Sequence, residues 1–271
     1  MEAFFLQGDA DGGNGRFCLH HPARGAAHGG VLYVHPFADE MNKARRMAAL
    51  QSRAFSEAGW PVLQLDLRGC GDSGGNFEEA SWDDWVADVL CGWRWLRDRV
   101  QGPVWVWGLR LGCLLAVAAA EREIRMRHFL FWQAPASGKQ LLHQFLRMRM
   151  AGAMLDGQKG VVEGLRRDLS AGRAVDVGGY ALLSALAHDM EAATMTPPSG
   201  PGRAIWLETS ADAQAELSPL GASLVARWRE AGWTIDASSV TGPAFWQTSE
   251  IEVVQALIEA SALPVPEALL Q

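Results

Sequence analysis

Eight short apolar runs, separated by turn residues or by stretches of helical periodicity, restrict the fold of this chain most. The runs are residues 3–7, 16–20, 31–35, 62–66, 104–107, 128–133, 204–208 and 234–240. From residue 31 onward each interval is long enough for a crossover helix, which is the pattern of parallel strands joined by helices. The turn-rich segment DGGNG at residues 11–15 predicts an antiparallel hairpin between the first two runs. We therefore expect an α/β fold with an eight-stranded, mostly parallel sheet.

The clearest helical period follows Ser81, where apolar residues recur every three or four positions. These residues are Trp82, Trp85, Val86, Val89, Trp93 and Leu96. Ser81 and Asp84 have the spacing of an N-cap followed by an acidic first turn. The pattern predicts a helix that packs on the sheet.

The longest interval, residues 134–203, lies between the sixth and seventh predicted strands. Structureless loops of that length are uncommon in compact domains, so helical patterns broken by glycine and proline here predict a helical cap. We expect a core domain at residues 1–136 and 202–271 and a cap at 137–201. An apolar stripe, interleaved with Arg147 and Arg149, would roof the core or face a partner or membrane surface. Its members are Leu141, Leu142, Phe145, Leu146, Met148, Met150 and Met154.

Composition excludes several classes of protein. Apolar residues make up 49% of the 271, which excludes a disordered chain, and the net charge of −7 argues against a nucleic-acid surface. No apolar run approaches the roughly 18 residues of a membrane span, and the start MEAFFLQG lacks signal-peptide features. The four cysteines lack the spacing of a metal site. We expect a cytoplasmic protein with free thiols, no transmembrane segment, no metal and no cofactor.

Three segments carry a resemblance to the α/β-hydrolases. DLRGCGDSG at residues 66–74 resembles the turn after their fourth strand, and VLYVHPF at 31–37 resembles the strand and turn that supply an oxyanion-hole amide. VWVWGLRLG at 104–112 has the form of the strand, sharp turn and helix of a nucleophile elbow. The order and spacing of the three imply the α/β-hydrolase fold.

Longer segments resemble the exosortase A system-associated hydrolase 2 family over nearly the whole chain. They are HPFADEMNKARR at 35–46, LRGCGDS at 67–73, WGLR at 107–110, SGKQ at 137–140 and GPAFWQT at 242–248. The resemblance implies a Gram-negative bacterial protein that acts with exosortase-dependent protein sorting and exopolysaccharide export. A fold of this type does not by itself establish hydrolysis.

Two members of the expected Ser-His-Asp triad are missing. Arg110 occupies the elbow position of the serine, and arginine stays protonated, so it is neither a nucleophile nor a base. All seven histidines precede the predicted seventh strand, whereas the triad histidine of this fold follows the last strand. Its place is held by Phe245 or Trp246, and Asp212 occupies the position of the acid. The triad-equivalent positions are therefore Arg110, Asp212 and Phe245.

Arg110 has two interpretations. At the start of the helix that follows the elbow, beside the N–H of Leu111, it would bind a carboxylate, phosphate or sulfate where an oxyanion forms in a hydrolase. Alternatively, it forms an internal ion pair that fills the old site. The candidate partners are Asp39, Glu40, Glu208 and Asp212. The predicted oxyanion-hole and ligand-binding positions are His35, Phe37, Arg110, Leu111 and Trp246.

For several cysteine, histidine and tryptophan residues near the predicted site, the sequence is compatible with two different roles. Cys70 and Cys113 are either nucleophiles or small buried side chains. His35 is either a recruited base or part of the turn. Four tryptophans either line a pocket or pack in the core. They are Trp105, Trp107, Trp132 and Trp246.

Three functions are compatible with the sequence. The first is a degenerate hydrolase that binds an anionic or acyl ligand, or assists a protein of the exosortase and exopolysaccharide system. The second is a hydrolase with an unconventional mechanism, in which Asp212 activates water and Arg110 stabilises the oxyanion. The third is a structural interaction module with a filled site.

Overall fold

The computed structural model describes residues 1–7, 15–153, 161–212, 214 and 216–266, without the side chains of residues 148–153 and 161. Its main sheet has eight strands in the order β1-β2-β4-β3-β5-β6-β9-β10. They are β1 (Glu2–Leu6), β2 (Arg16–His21), β3 (Gly30–Val34), β4 (Val62–Leu65), β5 (Val104–Leu109), β6 (His128–Trp132), β9 (Arg203–Ser210) and β10 (Thr234–Thr241). All eight predicted strands are confirmed, with ends that shift by up to two residues.

The sheet is mostly parallel, as predicted. The five pairings from β4 through β3, β5, β6 and β9 to β10 are parallel, and β2 pairs antiparallel with β1 and with β4. The predicted hairpin between the first two strands is confirmed, while most of its turn, residues 8–14, lies outside the described residues.

In the described ranges, five helices flank the sheet. They are α1 (Asp39–Glu57), α2 (Trp82–Arg97), α3 (Leu111–Arg122), α7 (Pro219–Glu230) and α8 (Gln255–Ala260). Alternating strand residues divide the core into two layers: Val106 packs with α2 and α3, and Trp107 packs with α1 and α8. The predicted N-cap of α2 is confirmed, because the Ser81 hydroxyl accepts from the Asp84 N–H and the Asp84 carboxylate accepts from the Ser81 N–H.

Within the described residues, three helices and one hairpin lie between β6 and β9. They are α4 (Gly138–Ala153), α5 (Val161–Ser170), β7 (Val175–Val177), β8 (Tyr180–Leu182) and α6 (Ser184–Ala192). The helical cap is therefore confirmed, and its hairpin is a feature that the sequence did not predict. Leu141, Leu142, Phe145 and Leu146 are buried against the main core. The rest of the predicted stripe, the side chains of Met148, Arg149 and Met150 together with Met154, lies outside the described residues.

The strand tryptophans belong to the core. Trp105, Trp107 and Trp132 are fully buried between the sheet and helices α1 and α8. The rings of Trp107 and Trp132 pack edge to face at 4.6 Å, a favourable aromatic geometry. Among the described residues, no helix combines the length and hydropathy needed to cross a membrane.

Candidate functional site

Arg110 forms the apex of a sharp turn between β5 and α3. Its backbone has φ 55° and ψ −114°, a strained conformation for a residue with a side chain. The turn is possible because glycine stands two residues away on each side: a Cβ on Gly112 would lie 2.1 Å from the Val34 carbonyl oxygen, and one on Gly108 would lie 2.6 Å from the Cys113 nitrogen. The backbone geometry of a nucleophile elbow is therefore present, with arginine at its apex.

The Arg110 side chain is buried and bound on two sides. Its Nε and Nη2 donate to the two carboxylate oxygens of Glu40 at 3.4 and 3.3 Å, and Nη2 also donates to Gln144 Oε1 at 2.5 Å. Only 8% of the side chain is exposed, and its guanidinium lies 5.6 Å from the Trp246 ring centroid. Glu40 also accepts from Gln247 Nε2 at 3.2 Å. Arg110 thus joins the elbow, helix α1, cap helix α4 and the loop after β10.

The structure places the other triad-equivalent positions apart from this network. Asp212 is exposed in the turn after β9, where its N–H donates to Ser210 Oγ and its Oδ1 accepts from the Gln214 N–H. Phe245 is fully buried against Trp132, with ring centroids 6.0 Å apart. Phe245 is therefore packed into the core, whereas the next residues of the same loop, Trp246 and Gln247, reach the Arg110 network.

Of the four carboxylates considered for Arg110, only Glu40 contacts it among the described residues. Asp39 pairs with Lys43 at 3.3 Å. Glu208 is buried at the end of β9 and accepts from the N–H and hydroxyl of Ser218, which caps α7. These contacts explain Glu208 as a structural residue.

The predicted oxyanion-hole positions lie in the turn after β3 and at the start of α3. His35 is buried, Leu67 N–H donates to its Nε2 at 3.2 Å, and its Nδ1 donates to the Pro36 carbonyl at 2.8 Å. Burial lowers the pKa of His35, which keeps the ring neutral. The backbone N–H groups of Phe37 and Leu111 have no acceptor within the described part of the chain. His35 thus holds the turn in place, which was one of the two roles that the sequence left open for it.

The buried histidines make stability depend on pH. Burial lowers the pKa of His35, and also those of His20, His21 and His128. The unfolded chain binds protons below about pH 6.5 that the folded chain does not, so stability is full above that pH and falls below it. Between pH 7 and pH 5 we expect a loss of up to about 2 kcal/mol for each histidine that stays neutral. Urea unfolding of the wild type and of His35→Asn checks this: the variant should lose less, and equal losses would contradict a neutral His35.

The glycine-rich turn after β4 is held by its own side chains. Asp66 Oδ2 accepts from the Asp72 N–H at 3.1 Å and from Arg45 at 3.3 Å, and Ser73 Oγ donates to the Asp66 carbonyl at 2.5 Å. Gly71 has φ 54°, and a Cβ there would lie 2.0 Å from Asp66 Oδ2. These contacts explain the turn as a structural element.

The two cysteines near the site are buried and protonated. Burial raises the pKa of Cys70 to about 12 and also raises that of Cys113. Cys113 Sγ donates to the Gly108 carbonyl at 3.2 Å. A thiolate is the reactive form, so neither residue is an activated nucleophile.

A cavity of about 360 Å³ lies between the turn after β3, helix α1 and cap helix α4. Roughly 300–1,000 Å³ is usual for a small-molecule site. Its walls are Phe37, Asp39, Glu40, Lys43, Leu141, Gln144, Phe145, Arg147, Trp246 and Gln247. Among the predicted ligand-binding positions, Phe37 and Trp246 line this cavity, and Arg110 is bonded to two of its walls.

Sequence reasoning missed Gln144 and Gln247, and it did not place Arg147 at a cavity. Gln144 follows Leu141 by three positions on α4, so helical periodicity could have placed it on the face toward the core. The sequence carries no local signal for Gln247, because its contact with Glu40 joins residues 207 positions apart.

Comparison with known proteins agrees with this fold. The family model of the serine aminopeptidases, S33, matches residues 25–163, about half of the chain. A thermostable monoacylglycerol lipase from Bacillus sp. (strain H-257) is 36% identical over 94 residues, and the human protein ABHD12B is 32% identical over 92. These matches cover about a third of this chain, and 36% and 24% of the two relatives.

A solved structure extends the similarity in fold to nearly the whole chain. Est1E from Butyrivibrio proteoclasticus, with ferulic acid bound, superposes with a TM-score of 0.67 at 15% identity and covers 96% of each chain. At that identity the likeness concerns the fold alone. Together with the matched family model, it shows that this chain belongs to the S33 serine aminopeptidase family and has the α/β-hydrolase fold.

Proposed function

We propose that this protein is a degenerate hydrolase that binds an anionic or acyl ligand in the cavity under its cap. One observation carries the proposal: the elbow apex is Arg110, whose buried guanidinium is bonded to Glu40 and Gln144. The position of a nucleophile is thus occupied by a neutralised cation. The position of the base is occupied by the buried ring of Phe245.

The known cost of removing triad residues supports the loss of serine-hydrolase activity. Removing either the serine or the histidine of a triad costs on the order of 10⁶ in kcat. Both are replaced here, and an arginine supplies neither function. In the alternative mechanism, Arg110 would stabilise an oxyanion and Asp212 would activate water. Glu40 already neutralises Arg110, and Asp212 is bonded within an exposed turn, so neither residue favours that mechanism.

The cavity supports ligand binding over a purely structural module. Four of its walls are apolar, namely Phe37, Leu141, Phe145 and Trp246. Apolar walls with a few polar groups are typical of small-molecule sites. Residues 137–201, on this proposal, form a cap domain on the core, and its helix α4 roofs the ligand.

The cellular role is proposed from the resemblance alone. The segments shared with the exosortase A system-associated hydrolase 2 family support a cytoplasmic accessory protein for exosortase-dependent sorting or exopolysaccharide export. Deleting the gene from a Gram-negative host that carries an exosortase should lower exported polysaccharide or leave sorted proteins unprocessed. A deletion that changes neither would contradict this role.

The ligand proposal is tested by filling the cavity. Calorimetric titration of the wild type with decanol, a neutral acyl-chain analogue, should show saturable binding at one site. Leu141→Trp replaces a leucine of the cavity wall with a bulkier indole, which should fill part of the cavity and weaken that binding at least tenfold. Leu220→Trp, an equal enlargement at an exposed position on α7, is the matched control and should bind as the wild type does. Absence of binding to the wild type, or equal binding by both variants, would contradict the proposal.

A further inference from the structure

In the described part of the chain, one cation at the cavity has no carboxylate partner. Arg110 pairs with Glu40, and Lys43 pairs with Asp39. Arg147 lines the cavity from α4, is exposed, and has no carboxylate within 4.0 Å among the described residues. The charges around the cavity therefore sum to one positive charge, although the whole chain has a net charge of −7.

The side-chain acceptors next to Arg110 are already engaged. Both Glu40 oxygens and Gln144 Oε1 already accept from Arg110 or Gln247. The buried indole N–H of Trp246 and the backbone N–H of Phe37 have no acceptor in the described ranges. The Trp246 N–H is enclosed by protein atoms, so the exposed Arg147 side chain, and not this indole, is within reach of an anion in the cavity.

The apolar walls lie close to the unpaired cation. Phe37 and Phe145 pack edge to face at 4.8 Å, and Leu141 is buried one turn before Phe145 on the same face of α4. Arg147 follows Phe145 by two residues and also lines the cavity. A single-chain amphipathic molecule would place its chain among the three apolar side chains and its charged end near Arg147.

We propose that Arg147, rather than Arg110, recognises the ligand, and that the ligand is an anionic headgroup on a single apolar chain. This inference rests on the proposed function and names the ligand class of that site. Carboxylates and phosphate monoesters share the required chemistry, because both present anionic oxygens to a guanidinium. Cap helix α4 thus provides the determinant that separates an anionic ligand from a neutral one.

The test compares three ligands with the same chain: decanoate, decyl phosphate and decanol. Arg147→Gln should weaken both anions about fivefold, which is the usual size for an exposed ion pair, and leave decanol unchanged. Arg227→Gln removes the same charge from an exposed position on α7 and should bind all three as the wild type does. In about 1 M NaCl, the preference of the wild type for anions over decanol should shrink, because salt screens exposed charges. The tighter of the two anions identifies the headgroup.

Three results would overturn the inference. Equal binding of decanol and both anions by the wild type would leave the cavity function standing and remove Arg147 from recognition. Equal weakening by Arg147→Gln and Arg227→Gln would assign the effect to net charge, and loss of decanol affinity in Arg147→Gln would assign it to cap structure. If none of the three ligands binds the wild type, the proposed function itself is wrong.

Discussion

Replacing Glu40 with Gln should lower the free energy of unfolding by about 3 kcal/mol, because it leaves the Arg110 guanidinium buried without a counter-charge. Arg110 is 8% exposed and Glu40 15%, so water cannot replace the lost partner fully. Gln144 remains as an acceptor, but it carries no charge. Urea unfolding of the variant measures the loss.

The neighbouring acid provides the matched control. Asp39→Asn removes the same charge one residue away, from a pair with Lys43 in which the Asp39 side chain is 46% exposed. Such a pair contributes at most about 1 kcal/mol, so the control should lose far less stability. Equal losses in Glu40→Gln and Asp39→Asn would contradict a buried ion pair at the elbow.

Removing the other partner of the ion pair shows how much of the loss comes from an unpaired charge and how much from altered packing. Arg110→Met removes the cation and leaves Glu40 in the first turn of α1, where the helix dipole favours a negative charge. We expect a loss of about 1 kcal/mol, smaller than that of Glu40→Gln. The double variant should lose about 2 kcal/mol less than the sum of the two single changes, because the unpaired charge exists only in the singles.

Gly112→Ala should destabilise the protein by about 3 kcal/mol or more. Alanine is the better helix former, and Gly112 lies in the first turn of α3, so propensity alone predicts the opposite sign. The new Cβ, however, would lie 2.1 Å from the Val34 carbonyl oxygen and 3.0 Å from that of His35. Backbone atoms on both sides must separate to admit it, which moves the elbow away from β3.

Gly164→Ala is the control for this prediction. Gly164 lies inside α5, and a Cβ there meets no atom within 4 Å. The same substitution should stabilise the protein by roughly 0.5–1 kcal/mol, because only the helix propensity changes. If thermal unfolding shows that Gly112→Ala lowers stability and Gly164→Ala raises it, the loss comes from steric contact at the elbow. A loss of stability below about 1 kcal/mol for Gly112→Ala would contradict this explanation.

Local patterns were sufficient to predict most of the fold. The strand 104–109 is a continuous apolar run, and the G-x-R-x-G spacing marks the turn that follows it, so β5, the elbow and α3 could be located without a structure. Ser81 and Asp84 likewise marked the start of α2. The hairpin of β7 and β8 escaped prediction because strands of three residues leave too short a pattern.

The candidate site was harder to predict because its contacts join distant parts of the chain. The elbow position of Arg110 was evident, but four carboxylates were possible partners, and only the fold shows that Glu40 at the start of α1 reaches it. The sequence also could not show which of four tryptophans pack in the core and which line a pocket. Their place on the strand face or in the loop after β10 separates core residues such as Trp107 from the cavity wall at Trp246.

An elbow closed by Arg110 should have no serine-hydrolase activity, and turnover of p-nitrophenyl butyrate tests this claim most directly. We predict release of p-nitrophenol at the rate of buffer alone, no labelling by a fluorophosphonate probe, and no change on Asp212→Ala. Turnover by the wild type that is lost in Asp212→Ala would contradict the claim and establish a hydrolase with an unconventional mechanism.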